Sequence, residues 1–175
     1  MTAAEQREPS SVGDFASGAV IDHTERFRYQ LWRTWDPNKE RLLWVMLNPS
    51  TADHTNNDPT IRKCIGFAKL WGYGSIEVVN LFALRSREPR NLVTTSDRIG
   101  EWNDTAISRA VARAGCVVAA WGAPSWPFVS SRALEVEAEL PGTVYCLGRT
   151  NHGHPKHPLF PAYATPPESF RRLAP

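Results

Sequence analysis

No stretch of this sequence approaches the ~20 consecutive apolar residues that a membrane-spanning helix requires, and its first residues lack the apolar core of a secretory signal. A cytoplasmic protein is the expectation. Neither sign of charge dominates: 20 basic and 18 acidic residues leave a net +2, so no global field compels a nucleic-acid or membrane partner. Only a local basic patch stays open. Cysteine is scarce, with Cys64, Cys116 and Cys146 far apart and no CxxC, which argues against a disulfide framework and against a standard zinc or iron–sulfur site. The chain also lacks a GxGxxG after its first buried run, a Walker A sequence and a GxSxG elbow. Dinucleotide, nucleotide-hydrolase and esterase chemistry are thereby weakened, and no cofactor is implied.

With 42% hydrophobic residues in 175, the chain can bury the core of one ordinary domain. Residues 1–20 carry Ser, Gly, Ala and charge without hydrophobic periodicity and are expected to form a flexible leader, leaving 21–175 as a single α/β domain. Residues 27–33 alternate in period two ahead of the turn-like Asp36-Pro37-Asn38, which predicts an antiparallel hairpin into the next strand. Residues 42–47 are almost wholly apolar, the pattern of a strand covered on both faces. Asp58-Pro59 then supplies a helix N-cap with proline behind it, and Ile61, Cys64, Ile65, Ala68 and Trp71 recur at helical spacing until Gly72. Further strands are predicted at 76–82, 116–121 and 143–147. Helices are predicted from a cap at Asp97 to about Ala114 and over roughly 128–140, with Pro- and His-rich loop beyond 148. This alternation predicts a three-layer αβα fold with a mainly parallel sheet of about four strands and an antiparallel edge hairpin.

Ligands of such sheets bind outside the carboxyl ends of the strands. Asn48-Pro49-Ser50, Asn80, Trp121-Gly122 and the loop reaching His157 all fall there. Asn48 can present an amide to a ligand or water, although Asn-Pro-Ser is also ordinary turn chemistry. An amide within Val78-Val79-Asn80-Leu81-Phe82 must find partners or bear the cost of burial. A nucleobase edge would serve Asn80, and so would a neighbouring loop backbone. His152, His154 and His157 lie close in sequence, yet their spacing is irregular and no acidic residue is near, so one histidine acting as a donor is expected rather than a metal site. Asp53 is the carboxylate best placed to act as a base, because Asp58 and Asp97 have cap roles. Arg62, Lys63, Arg85, Arg87, Arg90 and Lys156 sit in or beside the ligand-side loops, as phosphate contacts or as solvated surface. The seven tryptophans suit either core or a flat ligand pocket.

Met46-Leu47-Asn48-Pro49-Ser50-Thr51-Ala52-Asp53, Asp58-Pro59-Thr60-Ile61-Arg62, Trp71-Gly72-Tyr73-Gly74, Asn80-Leu81-Phe82-Ala83, Asn103-Asp104, Ala120-Trp121-Gly122 and His157-Pro158-Leu159-Phe160 resemble the family catalogued as domain of unknown function 1643, over about residues 27–161. In the same order, Asn48-Pro49, Asn80, Trp121-Gly122 and His157-Pro158 distantly resemble landmarks of the uracil-DNA glycosylase superfamily. That second resemblance implies that Asn48 positions a water, Phe67 or another aromatic stacks on a base, Asn80 reads the base edge and His157 stabilises the departing base. Pro49, Ser50, Trp121, Gly122, Arg62 and Arg85 would complete the binding site. Asn rather than a carboxylate stands at the water-positioning place, and Leu-Phe follows His-Pro where a Ser-rich wedge is common.

The function expected from these residues is a nucleobase-recognising enzyme of glycosylase-like fold, acting on an N-glycosidic bond in DNA, a nucleoside or a nucleotide. A non-catalytic module binding nucleotides or modified bases is the alternative. A protein-interaction domain using exposed tryptophans is a third.

Overall fold

The apolar run that begins at Arg41 becomes the middle strand of a seven-stranded sheet. The computed structural model describes residues 17–123 and 125–172. In chain order the elements are β1 (Ser17–Ile21), β2 (Arg28–Thr34), β3 (Arg41–Met46), α1 (Pro59–Leu70), β4 (Ser75–Asn80), α2 (Asn91–Thr94), α3 (Asn103–Arg113), β5 (Cys116–Ala119), α4 (Pro127–Glu139), β6 (Thr143–Cys146) and β7 (Glu168–Arg172). The strands lie in the order β1-β2-β4-β3-β5-β6-β7. β4, β3, β5 and β6 are parallel, while β2 and β1 on one side and β7 on the other run antiparallel to their neighbours.

Two apolar layers sandwich the sheet. Ile61, Cys64, Phe67 and Ala68 of α1 pack on one face with Leu42, Trp44, Ile76, Val78 and Val118. Ala106, Ile107 and Ala110 of α3 and Val129, Ala133 and Val136 of α4 pack on the other with Leu43, Val45, Val79 and Val117. The predicted αβα layering therefore holds. Trp44 and Phe67 are fully buried, and each such side chain contributes roughly 2–3 kcal/mol by leaving water. The chain passes from β3 to β4 on one side and then across to β5 on the other. The helices that follow β3 and β5 thus occupy opposite faces, the arrangement in which α/β sheets bind ligands beyond the carboxyl ends of such strands.

Local chemistry explains the best-defined helix. Asp58 accepts a hydrogen bond from Ile61 N at 2.8 Å, Pro59 occupies the first turn, and Gly72 leaves the helix at φ +83°. At the opposite, amino-end rim, the fully buried Glu77 carboxylate is held by Arg41 at 3.0 Å and Arg113 at 2.7 Å.

Several expectations are corrected. β2 does not form a hairpin with β3; it pairs with β1 and β4, so it is an interior strand and β1 is the edge. β1 begins at Ser17, inside the expected leader; residues 1–16 lie outside the described residues. In β1, Gly18 lies under the Trp32 indole, where a Cβ would come within 2.2 Å of the ring. The helix expected from Asp97 starts at Asn103, because Gly100 turns the chain at φ +84°. The tail expected to be loop throughout contains β7, which brings the sheet to seven strands rather than about four plus a hairpin.

Candidate functional site at the strand ends

Parallel pairing sets β4, β3 and β5 side by side, so their carboxyl ends deliver Asn80, Asn48 and Gly122 to one rim. Met46 stands in register with Asn80, Leu81 N donates to Met46 O at 2.8 Å, and Ala120 N donates to Val45 O at 2.8 Å. Gly122, at φ +74°, donates its N–H to Pro155 O at 2.9 Å, and a Cβ on it would lie 3.6 Å from the His157 Cβ. This join brings the late His-Pro loop onto the same rim.

Asn80 is the unusual member. It is 1% exposed, and neither its Nδ2 nor its Oδ1 has a hydrogen-bond partner among the described residues. Alternation along β4 puts it on the α1 face with Ile76 and Val78. A neighbouring loop backbone does not satisfy it. Such an orphaned amide costs about 1–3 kcal/mol per unmet group. Its backbone is well held: Asn103 Nδ2 donates to Asn80 O at 3.0 Å and to Leu81 O at 3.1 Å, while the buried Arg132 Nε donates to Leu81 O at 2.9 Å.

Asn48 is half-buried and its amide is oriented. Nδ2 donates to Ser86 O at 3.0 Å, Pro49 O at 3.1 Å and Leu84 O at 3.5 Å, which ties the end of β3 to the loop after β4. Three carbonyls around one end identify that end as the NH2, so Oδ1 is presented as a fixed acceptor. Pro49 is buried, with its carbonyl accepting from Ser86 N at 2.8 Å, and Ser50 is half-buried beside it.

His157 is half-buried. Desolvation pushes its pKa below the ordinary 6.5, and the charge of Asp58 opposes that shift. Leu159 N donates to Nδ1 at 3.3 Å, so the neutral ring carries its proton on Nε2 as a donor. Arg85, also half-buried, donates from Nη1 to Glu25 O at 3.1 Å, and its buried Nε has no partner among the described residues.

Other sequence-predicted site residues have structural employment. Asp53 accepts from Thr55 N at 2.9 Å, Asn56 N at 2.8 Å and Asn56 Nδ2 at 3.0 Å. The side-chain and backbone donors of Asn56 hold its carboxyl far below the usual carboxylate range, which makes it a poor base. Arg62, exposed on α1, donates to Asn57 O at 2.5 Å. Phe67 offers no free face: it is fully buried against Trp44, Trp71 and Tyr163, with ring centroids 6.2, 5.3 and 5.0 Å away. Trp121 faces the α3–α4 layer, edge-on to Phe170 and with no partner for Nε1 among the described residues, and so stands on the other side of the sheet from Asn80.

The residue that sequence reasoning missed is Arg28. It is 2% exposed; its Nη1 donates to Ala52 O at 2.9 Å and its Nε has no partner among the described residues. Burial lowers its pKa to about 10, with Asp58 opposing the shift and Arg85 and Arg33 adding to it. Arg33 holds the same loop through Asn57 Oδ1 at 2.8 Å and Asp53 O at 2.6 Å. The sequence signal was three polar residues, Arg28, Gln30 and Arg33, on a strand that proves to be buried on both faces.

Among the described residues no group of three His, Cys, Asp or Glu side chains is arranged to hold a metal ion. A groove of about 700 Å³ between α3 and α4 is lined by Ile107, Arg109, Arg132, Glu135 and Val136. None of the predicted site residues reaches it, and Arg132 there is already paired with Asp104 and Glu135. Among the described residues, the buried unpartnered atoms of Asn80, Arg28 and Arg85 lie outside this groove.

Fold and rim together define an α/β protein of doubly wound type with a polar, partly unsatisfied site at its strand carboxyl ends. The family model described as protein of unknown function (DUF1643) matches residues 28–159, and the chain belongs to that family. No curated protein and no solved structure matches it. No helix among the described residues is long and apolar enough to cross a membrane.

Proposed function

We propose that this protein recognises a nucleobase at the carboxyl ends of β3, β4 and β5, and acts on its N-glycosidic bond in a nucleoside, nucleotide or DNA. The observation that carries the reading is Asn80, a buried amide with donor and acceptor both unpaired. A base edge offers the complementary acceptor and donor, and binding it would relieve the cost of the orphaned groups. Asn48 contributes a fixed acceptor that can hold a water, while His157 contributes an Nε2–H donor for negative charge on a departing base. An oxocarbenium-like transition state needs little activation of the water, because loss of the leaving group creates the electrophile. The order of Asn48-Pro49, Asn80 and His157-Pro158, similar to that in the uracil-DNA glycosylase superfamily, agrees with this division of roles.

Binding without turnover is the second reading, favoured by one observation: the Asp53 carboxylate is committed to its own loop. Titration calorimetry with a panel of bases, nucleosides and nucleotides, followed by chromatography for released base, separates the two. Binding that Asn80→Ala abolishes, with base released, supports the enzyme; binding without release supports the module. Failure of every base-containing compound to bind would remove both.

A further inference from the structure

We propose that Arg28 and Arg85 form a receptor for a phosphate group beside Asn80, so that the molecule this rim takes is a phosphorylated nucleoside rather than a free base. The proposal deepens the base-recognition reading, yet it stands on different atoms. Arg28 is buried and cationic, and no carboxylate bonds to it among the described residues; its one protein acceptor is the Ala52 carbonyl, and its Nε–H is unmet. Arg85 repeats the pattern, with Nη1 on the Glu25 carbonyl and a buried, unmet Nε–H. The two arginines stand on segments joined by the Arg85 N to Arg26 O hydrogen bond at 2.8 Å, and a pair of guanidinium groups with spare buried donors is suited to an anion shared between them. The nearby carboxylate, Asp58, is occupied in capping α1 at Ile61 N. The helix amides beyond that cap add positive potential on the same side.

Position links this receptor to Asn80. Arg28 N donates to Ala83 O at 3.0 Å, three residues past Asn80, and Arg85 N donates to Arg26 O at 2.8 Å, so both arginines are laced to the segment leaving β4. Arg28 Nη1 donates to the carbonyl of Ala52, which packs on the α1 side of the sheet, the face that Asn80 shares. Planar guanidinium forks suit phosphate oxygens, and buried ones gain most from them.

The test compares inorganic phosphate, ribose 5-phosphate, nucleosides, their 5′-monophosphates and a short single-stranded DNA oligomer by calorimetry on the full chain. Monophosphates are expected to bind at least about tenfold tighter than the matching nucleosides. Arg85→Gln, at a half-exposed position, should erase that difference, and Arg28→Lys, which keeps the charge and loses the Nε–H, should reduce it. Equal affinity for nucleoside and monophosphate, or an undiminished preference in Arg85→Gln, overturns the proposal. Inorganic phosphate or ribose 5-phosphate binding that depends on Arg85, without any base preference, upholds the receptor and removes the base reading instead. Oligomer binding that outcompetes the monophosphates assigns the phosphate to a nucleic-acid backbone; the reverse assigns it to a free nucleotide.

Discussion

Asn103 on α3 holds the backbone carbonyl of Asn80 at 3.0 Å, while the Asn80 side chain leaves both of its own polar atoms unpaired. One asparagine fixes the strand end from one face of the sheet so that the other can keep an unsatisfied amide on the opposite face. Each unpaired polar atom of that side chain is a cost that an apolar residue of the same size would not carry.

Asn80→Leu should therefore leave the unliganded protein as stable as before or more so, by about 1 kcal/mol, while removing base binding. Thermal unfolding, expected to shift upward by roughly 2–4 °C, and calorimetry read the two effects. A large loss of stability would show that the amide has a structural partner.

At Asn48 the three surrounding carbonyls demand a donor. Asn48→Ala should cost about 1–2 kcal/mol by freeing the loop after β4, and Asn48→Asp should cost more, because a carboxylate oxygen would face those carbonyls. Urea unfolding gives the ranking. Installing a carboxylate here should accordingly fail to create a faster enzyme.

His157 makes stability depend on pH in a definite direction. Its folded pKa lies below the ordinary 6.5, so the unfolded chain binds the proton more tightly. The neutral ring's contribution is fully present above 6.5 and fades as pH falls through the window down to the folded value. His157→Gln should flatten the stability profile between about pH 5 and pH 8. An unchanged slope would place the titrating group elsewhere.

Glu77, far from the rim, anchors the amino ends of the strands through Arg41 and Arg113. Replacing it with Ala removes the shared anion of a half-buried Arg41 and an exposed Arg113 and leaves a cavity, and should cost about 1–3 kcal/mol. Ligand affinity, measured under conditions where the variant is folded, should not change.

Elements whose signals are local were legible in the sequence. The Asp58-Pro59 cap and the spacing of Ile61, Cys64 and Ala68 place α1 within a residue, and the apolar runs of β3, β4 and β5 place the parallel centre. Pairing was not legible, because nothing in β2 itself specifies β4 rather than β3 as its neighbour. β7 escaped because Glu168–Arg172 pairs on one side only and carries little apolar signal. The positions of Asn48 and Asn80 followed from strand ends, whereas His157, well beyond the end of β6, is brought there by the Gly122 N to Pro155 O hydrogen bond. Phe67 and Trp121 did not, since which face a ring takes depends on packing: Phe67 is closed in by Trp44, Trp71 and Tyr163, and Trp121 turns toward Phe170.

The arginines that clasp the 52–57 loop both come from β2, outside the parallel quartet. A fragment cut to start at β3 would retain every parallel strand and both helical layers, yet would shed the grip on the segment leading into α1. Because β2 also carries the buried Tyr29, Leu31 and Trp32 and covers the flank of β4, shortening from the front should cost the core and the hold on that segment together.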